Sequence, residues 1–161
     1  MKNKTTIIFF IIFLLLSACA KEDNARKKIE GEYDFYHYEV DYYSNDGITI
    51  TSTYKKDLEG IINLMTDNKP GSDWYNDCEY SLSEIPKGWL DNNIRTQTPL
   101  WHCDQGSMRV INFFKEPNAG NVIYATYTIT KNGHKKYIFS YVSMDSQGKL
   151  IYEERLYLKK K

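Results

Sequence analysis

The chain is short of most of what a catalytic centre is built from. Its 161 residues include only three histidines and three cysteines. It has no nucleophile-elbow motif, no phosphate-binding loop and no pair of histidines at zinc-ligand spacing. These absences argue against an enzyme, a resident metal or another cofactor. Excess charge is missing as well. The 21 basic side chains are balanced by 21 acidic ones, which removes the electrostatic basis for nucleic-acid binding. Apolar residues never recur at i, i+3, i+4, i+7 for long enough to specify a substantial helix. The longest unbroken apolar run, Ile7 to Leu16, rises about 15 Å as a helix, roughly half the hydrocarbon core of a bilayer. A permanent membrane span is therefore not expected there.

That short run has informative flanks. Lys2 and Lys4 precede it, and the small residues Ser17 and Ala18 follow, then Cys19. A basic start, a short apolar core and small residues before a cut form a secretory signal. Leu16-Ser17-Ala18-Cys19 resembles the lipobox of bacterial lipoproteins. The resemblance implies that residues 1–18 are removed and that the Cys19 sulfur carries diacylglycerol. Two or more acyl chains anchor a protein stably, whereas one holds it only marginally. Ala20 stands where many inner-membrane lipoproteins carry a retaining aspartate. Lys21-Glu22-Asp23 resembles the surface-export signal of Bacteroidetes lipoproteins, and an ordinary charged tether reads the same way. The implied address is the outer membrane, with the cell surface and the periplasmic face both open.

With Cys19 assigned to lipid, Cys78 and Cys103 remain. An even pair in an oxidising compartment is expected to form a disulfide. It would close a loop of about 25 residues and contribute roughly 3–4 kcal/mol. The rival is a metal site using Cys78, His102, Cys103 and Asp104. Neighbouring residues on a strand point to opposite faces, so His102 and Cys103 could not readily share one ion.

Removing the signal leaves about 140 residues, enough for one domain with a real core. Residues 19–28 are polar and lack apolar period, as in a tether of at most about 36 Å. Residues 29–161 are different, with short alternating runs separated by turns. The first run, Ile29 to Tyr43, places Tyr33 and Phe35 on one phase, then Tyr36, Tyr38, Val40 and Tyr42 on the other. That slip predicts a bulge near Phe35. Turns are expected at Ser44–Gly47, Asp57–Gly60 and Asp145–Gly148, and Asn132-Gly133 is the strongest hairpin signal. Pro86, Gly88 and Pro99 exclude a long strand between residues 83 and 99, leaving room for a helical turn near Trp89 to Asn93. Eight or nine short strands with few helices predict an all-β fold, an up-and-down antiparallel barrel or a sandwich.

The opening Lys27-Lys28-Ile29-Glu30-Gly31-Glu32-Tyr33 resembles the Gly-x-Trp start of lipocalin-like domains, with Tyr33 in the aromatic position. The closing Leu156-Tyr157-Leu158-Lys159-Lys160 resembles the last strand of small lipocalin-like lipoproteins. The resemblance implies a barrel with an apolar cup for a small hydrophobic ligand.

Candidate site residues follow from strand faces. Ile123, Ala125, Tyr127 and Ile129 share one face, as do Tyr137, Phe139 and Tyr141. Most such residues fill a core, but Tyr127, Tyr137, Phe139, Tyr141 and Tyr152 also suit a pocket, where a ring packs and a hydroxyl bonds a polar group. Glu154 falls in the apolar row of Leu150, Tyr152, Leu156 and Leu158. Two readings remain open. It could be a polar anchor inside the barrel, with Arg109 as partner, or a bulge at Glu153-Glu154 could turn it outward. His37, Glu39 and Asp41 also share a face, as a cation site or, more commonly, a solvated surface. The basic end Lys159-Lys160-Lys161 reads as a solvated terminus. Two functions fit: a tethered barrel binding a small apolar or amphipathic ligand, or an envelope module with a filled interior that binds a protein.

Overall fold

Period-two alternation builds eight strands in the computed structural model, which describes residues 27–66, 76–94, 99–103, 109–115 and 124–161. They are β1 (Gly31–Tyr43), β2 (Ile50–Leu64), β3 (Asn76–Leu82), β4 (Leu100–Cys103), β5 (Val110–Phe114), β6 (Tyr124–Lys131), β7 (Lys136–Met144) and β8 (Leu150–Lys160). A short helix, α1 (Lys87–Asp91), lies between β3 and β4. Each strand pairs antiparallel with the next, and β8 returns to β1, closing an up-and-down barrel. Every strand thus has a partner on both sides, the device by which small all-β chains avoid sheet-to-sheet association. No helix among the described residues is long and apolar enough to cross a membrane. Cys19 and Lys21-Glu22-Asp23 lie outside the described residues.

The bulge is where the apolar phase slips. The register of β1 against both β2 and β8 shifts between Phe35 and His37. Tyr33 and Phe35 are buried before the shift and Tyr38 and Val40 after it, while Tyr36 faces out. The Asn132-Gly133 hairpin and the Asp145–Gly148 turn form as expected, with Gly133 at φ +101° and Gly148 at φ +77°. The expected turn at Asp57–Gly60 does not form. Those residues lie within β2, where the register shift opposite Phe35–His37 falls, and the strand continues along β1 to Ile50. Gly60 is there for close approach: a Cβ would lie 2.8 Å from the Ser81 carbonyl oxygen.

Among the described residues, β3 and β4 pair at Asn76↔Trp101 and Asp77↔Leu100, extended by the Cys78 amide donating to the Pro99 carbonyl at 2.9 Å. The Trp101 indole braces this seam by donating to the carbonyls of Met65 and Asp77, at 3.1 and 3.0 Å. The same register corrects the expected disulfide. Cys78 sits opposite Pro99, and Cys103 lies four residues farther along, about 13 Å at strand spacing. A bridge needs Cα atoms within about 7 Å. Both cysteines are buried and neither is in a disulfide, and burial pushes the Cys78 thiol well up.

Candidate functional site

The two ends of the barrel differ. At the end where β1 finishes and β2 begins, the interior is closed by α1. Pro86 precedes the helix and Asn92 follows it. Trp89 is fully buried, with its ring edge-on to Tyr80 at 5.1 Å and tilted on Phe113 at 4.9 Å. It fills the interior between β3 and β5. A fully buried aromatic of this size contributes about 1.5–3 kcal/mol from burial alone.

Glu154 holds this plug. It stays in register on β8, opposite Val40 and Tyr141, and is fully buried. The outward-turning bulge is thus excluded. Its Oε2 accepts from the Tyr38 hydroxyl at 2.6 Å and from the Gly88 amide at 3.1 Å. Its Oε1 accepts from the Tyr127 hydroxyl at 2.5 Å. Tyr38 oxygen in turn accepts from the Lys87 amide at 3.0 Å. A buried carboxyl is tolerated only when its oxygens are occupied in this way. Burial pushes its pKa up, and the bonds from Tyr127, Tyr38 and the amides of Gly88 and Lys87 pull it back part of the way. Arg109, the expected partner, is not involved.

Other residues expected to face a ligand also face α1. The Tyr141 hydroxyl oxygen accepts from the Asn92 side-chain amide at 3.0 Å. The Tyr152 hydroxyl donates to Asp91 at 2.5 Å, and the Lys87 ammonium sits 4.7 Å above its ring. Tyr127, Tyr141, Tyr152 and Glu154 therefore bind the chain's own helix. Nothing in strand periodicity carries that information. The one signal was the Pro86, Gly88 and Trp89 cluster, whose small residue admits close contact. A Cβ on Gly88 would meet the Tyr127 hydroxyl at 2.7 Å and the Tyr141 ring at 2.9 Å.

Among the described residues the opposite end is open. A cavity of about 490 Å³ lies there, lined by Lys28, Ile29, Arg109, Ile129, Lys131 and Tyr137. Small-molecule pockets commonly run about 300–1,000 Å³. Ile29 and Ile129 are buried and Tyr137 half-buried, giving an apolar wall. The Tyr33 hydroxyl donates to the Ile29 carbonyl, fixing the segment that enters β1. Tyr33 also meets Tyr137 edge-on at 5.7 Å and Phe139 at 6.2 Å. Phe139 thus lies behind the cavity wall. Of the residues expected to line a pocket, Tyr137 and Arg109 do so. Ile129 belongs to the row of Ala125 and Tyr127, but Ile29, Lys28 and Lys131 were not expected there, because a barrel mouth gathers strand ends that are far apart in the chain.

The outer face of β1 carries a third cluster. Arg155 bonds Glu39 through Nε at 3.2 Å, pairs with Asp41 through its guanidinium, and reaches Glu153 at 3.2 Å. Burial would raise the Glu39 pKa, but bonds from Lys55, Tyr157, His37 and Arg155 hold it at about 2. His37 Nδ1 lies 2.6 Å from Asp57. The cation that His37, Glu39 and Asp41 could have recruited is supplied by the protein itself. Among the described residues, no group of three or more His, Cys, Asp or Glu side chains is arranged to hold a metal. The basic C-terminus is tied down as well, since Lys161 pairs with Glu32 and Asp34.

No family model, curated protein or solved structure matches the chain.

Proposed function

We propose that this chain is a lipid-anchored outer-membrane protein, at the cell surface or the periplasmic face, whose barrel binds a small amphipathic molecule. It binds rather than catalyses. The supporting observation is the 490 Å³ cavity at one barrel end, set against the filling of the other end by α1. The anchor rests on the lipobox-like residues ending at Cys19. Native mass spectrometry of the protein released from its own cells tests the binding. A retained small molecule, lost when Ile129→Trp fills the cavity, is expected. Bare protein from wild-type cells would count against it. Growth on labelled palmitate tests the anchor: label enters the wild-type chain and is absent from Cys19→Ala.

A second reading, an envelope protein-interaction module, is favoured by exposed apolar residues at the plugged end. Ile48 is 80% exposed, and Ile50, Met144 and Ile151 are also exposed. Crosslinking in cells from the Ile48 position distinguishes the two, because a captured envelope protein is expected only for the module.

A further inference from the structure

The chemistry of the open end narrows the ligand class, and this step rests on the cavity being a binding site. Of the described residues that line it, three are cationic and none is acidic. Lys28 and Lys131 are exposed at the rim, and among the described residues neither has a carboxylate at ion-pair distance. Other surface lysines have found carboxylates, Lys55 with Glu39, Lys56 with Glu84 and Lys87 with Asp91, whereas Lys135, Lys136 and Lys159, like the two at the rim, are exposed. The rim also holds Lys160, whose ammonium donates to the Lys28 carbonyl at 2.9 Å and sits 5.7 Å from the Tyr33 ring centroid. Burial and the nearby Lys135 lower the Lys160 pKa, against the opposing pull of Glu30. Positive charge is thus concentrated over an apolar wall of Ile29, Ile129 and Tyr137.

From this geometry we infer that the cavity takes an anionic single-chain amphiphile, its acid held by Lys28 and Lys131 and its chain laid along Ile29, Ile129 and Tyr137. An anion gains charge-assisted hydrogen bonds from such a rim. A neutral amphiphile leaves the ammonium groups as they were, and a cationic one meets repulsion. The location fits the same chemistry. Lys28 stands nine residues after Cys19, at most about 32 Å of extended chain. An acylated Cys19 keeps the mouth within reach of the lipid surface, where acidic amphiphiles reside.

The test uses the full-length acylated protein in neutral phosphatidylcholine vesicles, with the uncharged dye N-phenylnaphthylamine reporting on the cavity. Palmitic acid and cetyl alcohol then compete for it. Palmitic acid is expected to displace the dye at about tenfold lower concentration, the effect of one charge-assisted bond. The Lys28→Gln/Lys131→Gln variant is expected to reduce that preference to about twofold or less, with its thermal midpoint unchanged because both side chains are exposed. Equal displacement by acid and alcohol overturns the anion preference and leaves the cavity reading standing. Dye that never binds overturns both. Supplying palmitic acid free in solution or preloaded in the vesicles supports the chemistry in either arm, and the faster arm identifies the source.

Discussion

Tyr38 and Glu154, 116 residues apart in the chain, meet inside the barrel with the Tyr38 hydroxyl 2.6 Å from the carboxylate. The contact joins β1 to β8 and, through Gly88 and Lys87, fixes α1 in place. Replacing Glu154 by leucine keeps the volume but strands three donors. The expected loss is about 3–5 kcal/mol, since each unsatisfied buried group costs about 1–3 kcal/mol. Glu154→Gln retains an acceptor and is expected to cost about 1 kcal/mol. Urea midpoints at neutral pH check both.

The same residue sets a pH dependence. Burial raises the folded-state pKa of Glu154 above its ordinary value of 4.5. The neutral acid is therefore favoured in the folded chain. Its stabilisation is fully present below pH 4.5 and is lost as pH rises through the raised value. Glu39 works in the opposite sense. Held at about 2, it contributes stability above its ordinary 4.5 that is lost as pH falls toward 2. Against wild type, Glu154→Gln is expected to gain relative stability as pH rises past 4.5. Glu39→Gln is expected to flatten the acid limb. Denaturation curves across pH measure both slopes.

The plug itself is tested at Gly88. A methyl there lies too close to the Tyr127 hydroxyl and the Tyr141 ring. Gly88→Ala is expected to destabilise by about 1–3 kcal/mol, as overpacking usually does. Trp89→Ala removes the ring packed between Tyr80 and Phe113 and is expected to cost about 3–5 kcal/mol. The near-ultraviolet circular dichroism of both variants is expected to weaken, because the aromatic cluster loses its fixed packing.

The cysteines provide a separate check. Two buried cysteines without a disulfide predict no mass gain on reduction under denaturing conditions and no change of the urea midpoint with reductant. Maleimide is expected to label Cys78 only on unfolding, since its thiol is buried and its pKa raised.

Local chemistry made much of the barrel legible. The Phe35 bulge could be read because a one-residue slip moves every later side chain to the opposite face. Asn132-Gly133 and Gly148 could be read because their turns need positive φ. Glu154 could be placed inward by its row on β8, but its partners could not be named. Those partners, Tyr38, Tyr127 and Gly88, come from three distant segments, and no local rule links them. The Cys78–Cys103 pairing failed for the same reason. Spacing along the chain does not fix register across the β3–β4 seam. The mouth residues Lys28, Ile29 and Lys131 were missed because each looks ordinary alone and only closure of the barrel gathers them.

The most direct measurement is dye binding at the two ends of the barrel. N-phenylnaphthylamine is titrated into wild type, Ile129→Trp at the open end, and Tyr152→Phe at the plugged end. Binding is expected to be abolished in Ile129→Trp and unchanged in Tyr152→Phe, with both variants folded by circular dichroism. Undiminished binding to Ile129→Trp, or loss confined to Tyr152→Phe, would contradict a binding cavity at the mouth.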